Sequence, residues 1–232
     1  MDPKILENKI KIAVCGPVDA GKSSLIGVLT SRTLDDGRGS ARSKVLKHKH
    51  ELDSGRTSNI TFNNLIYEND EVKQVISLID LAGHEKYLKT TVYGITGLFV
   101  DYGIVVIGAN TGITKLTREH LGILLYLDIP IIIVITKIDI APEDVYKTTL
   151  NRLRRLLTRG EFGKKLFFIN DNEELANEEV RKYMNSVSQN NSIIPVISIS
   201  NKIGTNVENL HAIIKNLKPI QQWDKNSFDG SL

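Results

Sequence analysis

The chain has 232 residues, enough for one large domain or two small ones, with 41% hydrophobic and 25% charged residues. A formal net charge of +3 is too small for wholesale adhesion to nucleic acid or membrane, and a single cysteine, Cys15, excludes an internal disulfide. MDPKILENKIKIAV lacks the apolar centre of a signal peptide, and the most apolar run, IPIIIVITKI at 129–138, is about half a bilayer crossing, so a soluble, cytoplasmic protein without membrane contact is expected.

In chain order, KIKIAVCG (9–16) predicts a strand and KSSLIGVLT (22–30) a helix. Residues 31–59 exceed an ordinary loop. ITFNNLIYE and QVISLID predict a hairpin around NDEVK. YGIVVIGA (102–109), PIIIVITK (130–137) and IIPVISIS (193–200) are continuous apolar strands, a pattern that suits a sheet covered on both faces. Helical patterns lie between them at 115–127, 142–159 and 206–217. A second long stretch, about 160–192, holds a strand candidate, KKLFFIN, and a helix candidate, NEELANEEVRKYMNS. The alternation predicts an α/β fold: an open, mostly parallel sheet with one antiparallel edge strand and helices on both faces. Ligands of such sheets sit at the carboxyl ends of the strands. Residues 1–218 are read as one domain and 219–232, polar and aperiodic, as a tail or the start of a linker.

The first strand runs into GPVDAGKS (16–23), which fits G-x-x-x-x-G-K-[ST] in its strand–loop–helix setting. Glycines let the backbone wrap so that its N–H groups face an anion, and the following helix adds its amino-terminal dipole. Lys22 is expected on the terminal phosphates and the Ser23 hydroxyl on magnesium. A hydrolysing P-loop fold needs a carboxylate at the end of a neighbouring strand to hold that metal, and Asp80 of DLAGHE stands where such a strand ends. Gly83 would let a backbone N–H approach the γ-phosphate, and His84 follows at the place where the attacking water must be oriented. Asp139 of TKID (136–139) can accept from both the N1–H and the exocyclic amine of guanine; adenine offers no such pair. Lys137 can lay its stem against the base. In ISISNKIG the backbone N–H of Ser200, Asn201 or Lys202 can reach the guanine oxygen.

These strings, with VDAGKS, LDDGRG, HKHE, SGRTS and DLAGHEKYLKTT in that order, resemble the translational GTPases related to elongation factor Tu and elongation factor 1-alpha. Within these the chain looks most like the GTP-binding-protein-one/two branch. The resemblance spans residues 9 to about 217. It implies a GTP/GDP switch with magnesium-dependent, intrinsically slow GTP hydrolysis. It implies that Gly16, Val18, Asp19, Ala20, Gly21, Lys22, Ser23 and Ser24 hold the phosphates. Gly83, Thr136, Lys137, Asp139, Ser200, Asn201 and Lys202 would complete the nucleotide site. Lys22, Thr57 and His84 are the implied catalytic residues, with Thr57 binding magnesium beside Ser23, Asp80 reaching the metal through a water, and His84 positioning the hydrolytic water. Asp19 resembles the aspartate linked to a stimulating monovalent cation such as potassium.

Two positions depart from the common pattern. Thr136 stands where most GTPases have asparagine, and its hydroxyl replaces only part of the amide's bonding. Arg56 stands where elongation factor Tu has an apolar residue; it either points to solvent or acts as a finger in cis on the developing phosphate charge. The β-barrels of these factors find no room in 219–232; the chain is either a natural minimal GTP-binding domain or one piece of a longer protein, so transfer-RNA delivery does not follow from the resemblance. Residues 38–50 are basic, with Arg38, Arg42, Lys44, Lys47 and Lys49, and so are Arg152, Arg154, Arg155 and Arg159. Each group is either a contact to ribosomal or other RNA, or to an exchange factor, or a solvated helix face. His48 and His50, two apart, do not share a helix face, which argues against zinc. Cys15 is read as a packing residue, and His120 and His211 receive no role. Two rival functions stand beside the GTPase: a nucleotide-dependent switch or scaffold with negligible turnover, and an ATPase or kinase, which TKID opposes.

Overall fold

Strands that are apolar at successive positions need cover on both faces, and the topology supplies it. The computed structural model describes residues 6–46, 60–68, 72–81, 83–84, 86, 88–158, 163–169 and 192–220. Its elements are β1 (Leu6–Cys15), α1 (Lys22–Ser31), α2 (Ser40–Ser43), β2 (Thr61–Glu68), β3 (Val72–Asp80), α3 (Leu88–Gly97), β4 (Tyr102–Gly108), α4 (Lys115–Tyr126), β5 (Ile131–Thr136), α5 (Glu143–Thr158), β6 (Lys165–Ile169), β7 (Ile193–Ser198) and α6 (Val207–Lys215). The strands form one sheet in the order β2-β3-β1-β4-β5-β7-β6. Every pair is parallel except β2 with β3, the hairpin that places the antiparallel strand at the edge.

Side chains leave β1 to opposite faces by turns, and each face has its own core. Ile10, Ile12 and Val14 join Leu25, Ile26 and Leu29 of α1 and Leu210, Ile213 and Ile214 of α6. Ala13 and Cys15 join Ile95 of α3, Leu121 and Leu124 of α4, and Leu153 and Leu157 of α5. β4 and β5 are buried at every position. Cys15 is fully buried, which pushes its thiol up to about 12 and leaves it inert, as a packing residue should be.

Strand and helix limits fall within a few residues of the predicted ones, but α3 was not predicted as a helix. The segment Leu88–Gly97 is rich in threonine, β-branched residues and glycine, poor helix formers taken singly. Burial of Thr91 and Ile95 against the second core decides its conformation. Of the long stretch 31–59, the described part holds only the short α2. The segment 172–186, predicted helical, lies outside the described residues, as do Thr57, Arg56, His48, His50 and Arg159. Residues 217–220 are tied to the amino ends of the strands: Tyr102 Oη donates to Lys218 O at 2.7 Å, Gln74 Nε2 to Leu217 O at 2.9 Å, and Ile220 N to Asp101 Oδ1 at 3.2 Å. Among the described residues no helix is long and apolar enough to cross a membrane.

His120, 1% exposed on α4, is a buried titratable group with a measurable consequence. Neither ring nitrogen has a hydrogen-bond partner among the described residues. Burial, with a smaller contribution from the Lys22 charge, pulls its pKa down to about 4. The unfolded chain takes this proton near the ordinary 6.5, so between 6.5 and 4 the unfolded state binds more protons than the folded one. Stability is therefore lost as pH falls through that window, by about 3 kcal/mol in all from this group. His211, also lowered by burial, adds to the same trend. Urea titrations from pH 7 to 4.5 should show a shallower decline for His120→Leu than for the parent chain; equal slopes would exclude this account.

Candidate functional site

The strand order reverses its growth beside β1: the chain reaches β3 on one side of it and β4 on the other. At such a switch point the loops after adjacent strands diverge and open a crevice at their carboxyl ends. Four predicted segments meet there.

The first is the loop after β1. Gly16, at φ +148, lies so close to the carbonyl of Val106 that any side chain would collide with it. Asp19 is exposed at φ 60, and Gly21 caps α1 at φ 89, both left-handed, so the loop wraps around its own centre. Lys22, 7% exposed, lies inside the wrap, its ammonium donating to the carbonyls of Gly16 at 3.1 Å and Pro17 at 2.9 Å. Burial pulls the Lys22 pKa down, and the Asp80 charge opposes that. An ammonium so placed is a cation waiting on an anion: phosphate in the loop would restore what burial removes.

The second is the end of β3. Parallel pairing sets Asp80 beside Val14, so its carboxylate, 1% exposed, faces the start of α1. Ser23 Oγ donates to Asp80 Oδ2 at 2.8 Å. Two hard oxygen donors, one anionic, beside a phosphate loop are the donor chemistry magnesium takes from protein, so the residues fit that ion. Gly83 is buried over the loop; a Cβ there would strike the Lys22 ammonium and stand 2.8 Å from Gly16 O and 2.9 Å from the carbonyl carbon of Pro17. Only glycine allows this approach. His84 is exposed, its Nδ1 accepting from Lys86 N at 3.3 Å.

The third and fourth are the ends of β5 and β7. Thr136 is fully buried, and its hydroxyl donates to Ala20 O at 2.5 Å, tying β5 to the phosphate loop. Thus the threonine keeps the clamp on the loop with a single donor. Lys137, at φ 62, turns the chain outward, and Asp139 is exposed beyond it. Ser200 Oγ donates to Asp139 Oδ1 at 2.8 Å while accepting from the backbone N–H of Lys202 at 3.3 Å and Ile203 at 3.1 Å. The Asn201 amide comes close to Gly21: Nδ2 stands 3.8 Å from where a Cβ of Gly21 would lie. Asn201 Oδ1 is buried and has no hydrogen-bond partner among the described residues.

Gly16, Gly21, Lys22, Ser23, Asp80 and Gly83 therefore form one cluster, and Thr136, Asp139, Ser200 and Asn201 a second, joined through Ala20. Val18, Asp19 and Ser24 lie on the first, Lys137 and Lys202 on the second. Of the basic groups, Arg152, Arg154 and Arg155 are exposed on α5, with Arg154 over the Phe168 ring at 4.5 Å. Lys44 Nζ donates to Thr33 Oγ1 at 2.7 Å. Unforeseen from sequence is that Leu34, Asp35 and Gly37 lie against Gly204, Asn201 and Lys202 of the loop 200–204; only the glycine and aspartate content of LDDGRG hinted at a turn.

The elongation factor Tu GTP binding domain model matches residues 7–219. GTP-binding protein 1 of Xenopus laevis is 38% identical over 232 residues, covering 91% of this chain and 35% of its own length. GTP-binding protein 2 of Homo sapiens is 34% identical over 228 residues, covering 91% of this chain and 37% of its own length. The chain thus spans about a third of the curated relatives it matches. Among solved structures, translation elongation factor SelB from Methanococcus maripaludis with the GTP analogue GPPNHP superposes with a TM-score of 0.60 at 24% identity, over 91% of this chain and 34% of SelB, a likeness of fold.

Proposed function

The chain belongs to the family of elongation factor Tu GTP-binding domains, and from that premise we propose that it binds GTP and GDP with magnesium, hydrolyses GTP by in-line attack of water and works as a two-state switch. The observation that carries this is the Ser23–Asp80 contact at 2.8 Å beside the buried Lys22 ammonium, at the ends of adjacent parallel strands.

Lys22 turns its ammonium from the Gly16 and Pro17 carbonyls to the β- and γ-phosphates, where the acceptor is ionised as well as the donor and the attraction is stronger. Backbone N–H groups from 18 to 24 and the amino end of α1 take the remaining phosphate charge. Ser23 and Asp80, with Thr57 from outside the described residues, would hold magnesium, which when bound neutralises charge on the β- and γ-oxygens. The N–H of Gly83 approaches the γ-phosphate, and His84 orients the attacking water. Asp139 reads the N1–H and exocyclic amine of guanine, Lys137 packs its stem on the base, and the 200–202 backbone meets the guanine oxygen. Asp19 is the candidate for a stimulating potassium ion. Arg38, Arg42 and Lys44, with Arg152 and Arg155, offer positive surface to ribosomal or other RNA in a translation-related process.

Fluorescent GDP titrated in magnesium buffer and competed with GTP, GDP and ATP tests the base and phosphate assignments. Displacement by GTP and GDP but not ATP is expected, together with slow single-turnover release of phosphate that chelation abolishes. Equal competition by ATP would refute the base site. Guanine selectivity without turnover, even with ribosomes added, would leave a binding switch and no enzyme.

A further inference from the structure

Leu34–Ser40 folds as two interlocked aspartate turns. Asp35 accepts from Ala41 N at 2.9 Å through Oδ1 and from Gly37 N at 3.2 Å through Oδ2. Asp36 Oδ1 accepts from Arg38 N at 2.7 Å and Ser40 N at 3.1 Å, bonds that hold its carboxyl below the ordinary range. Gly37 and Gly39, at φ +82 and +98, close the turns. Short aspartate turns usually serve only themselves, but this one leans on another loop. The N–H of Asp35 donates to Asn201 O at 2.9 Å. A Cβ on Gly37 would lie 3.3 Å from Lys202 Cδ, and one on Gly204 would lie 3.1 Å from Leu34 Cδ1. Three successive parts of the turn thus press on three parts of Asn201–Gly204, the loop whose Ser200 holds Asp139.

We propose that Asp35 is a positioning residue for guanine recognition: its carboxylate fixes the 34–40 turn, whose backbone and Leu34 hold the 200–204 loop and, through Ser200, the base-reading carboxylate of Asp139. The inference rests on the guanine-site reading above and deepens it. The reason lies in preorganisation. The loop is exposed at Ile203, 66%, and its internal bonds converge on Ser200: Gly204 N to Ser200 O at 2.9 Å, Ser200 N to Thr205 O at 3.2 Å, and the N–H groups of Lys202 and Ile203 to Ser200 Oγ at 3.3 and 3.1 Å; the Asn201 carbonyl is held from outside, by Asp35 N. A loop held before the base arrives does not have to be ordered by it, so affinity rises without a new contact to the ligand. It follows that whatever displaces residues 34–40, near the start of the long 31–59 stretch, also loosens the base. Nucleotide release is then coupled to the shape of that segment and not only to the phosphate loop.

The test uses the full 232-residue chain with Asp35→Ala and Asp35→Asn, and three probes: GDP, inosine diphosphate, which lacks the exocyclic amine, and inorganic tripolyphosphate. Asp35→Ala should speed GDP dissociation about tenfold, the worth of one or two lost hydrogen bonds, and narrow the preference for GDP over inosine diphosphate. Tripolyphosphate affinity should stay within about twofold, since the phosphate loop is untouched. Asp35→Asn, which keeps one acceptor, should fall between parent and alanine variant. Unchanged GDP release would overturn the inference, as would equal losses for all three probes, the sign of a general loosening of the fold. If the unaltered chain fails to prefer GDP to ATP, the guanine-site reading falls first and this inference with it.

Discussion

Asp139→Asn should lower GDP affinity by about 10²–10³ and raise affinity for xanthosine diphosphate above it, an inversion of base preference with the phosphate site intact. In the proposed site the carboxylate would accept two donors from guanine, each bond to a charged acceptor worth about 1.5–3 kcal/mol. An amide keeps one acceptor and turns the other into a donor, which then faces the guanine amine and leaves two donors opposed. Xanthine carries a carbonyl at that place and restores the pair. The geometry also fixes which way the amide turns: Ser200 Oγ donates to Oδ1 at 2.8 Å, so Oδ1 remains the acceptor and Nδ2 takes the other position. Displacement of fluorescent GDP by xanthosine and guanosine diphosphates reads both effects. Loss of both ligands, or of neither, would remove Asp139 from the base site.

The placement of the motifs was legible because each follows an apolar strand end, Ile12–Cys15, Leu78–Ile79 and Ile131–Ile135, and strand ends are where an open parallel sheet presents its ligands. GPVDAGKS, DLAG and TKID declare themselves by residue type; what the spacing could not supply is which atoms touch. Ser23 meeting Asp80 depends on the β1–β3 register, which puts Val14 beside Asp80. Thr136 looked like a weakened asparagine, yet its short side chain lies deep enough for the hydroxyl to reach Ala20 O. Helix α3 went unread because tertiary burial of Ile95, not propensity, makes it. His120 and His211 carried no motif; one is buried without a partner among the described residues and the other accepts or shares a proton with Tyr67 Oη at 2.7 Å. The Asp35–Asn201 bond was beyond reach for a simpler reason. It joins backbone atoms of two distant loops, and backbone atoms leave no trace in residue identity.

His84→Ala should slow single-turnover GTP hydrolysis by about 10²–10³ while GTP and GDP affinities change by less than about threefold. The separation follows from where the residue stands. Gly83 holds the backbone against the Lys22 ammonium and the Gly16 carbonyl, so the chain immediately after it is committed to the edge of the phosphate site. His84 itself is exposed, and its Nδ1 accepts from the backbone N–H of Lys86 at 3.3 Å, which ties the ring to the turn that follows Gly83. Such a group makes no demand on the bound nucleotide in the ground state; it counts only when water must be aligned with the departing phosphate, and interactions realised only then act on rate and not on affinity. Glutamine can orient water without titrating, so His84→Gln should recover part of the rate. A variant that hydrolyses as fast as the parent would strip His84 of its role and favour the reading in which this surface changes shape with the nucleotide and does no chemistry. A fall in nucleotide affinity matching the fall in rate would instead place His84 among the groups that bind phosphate.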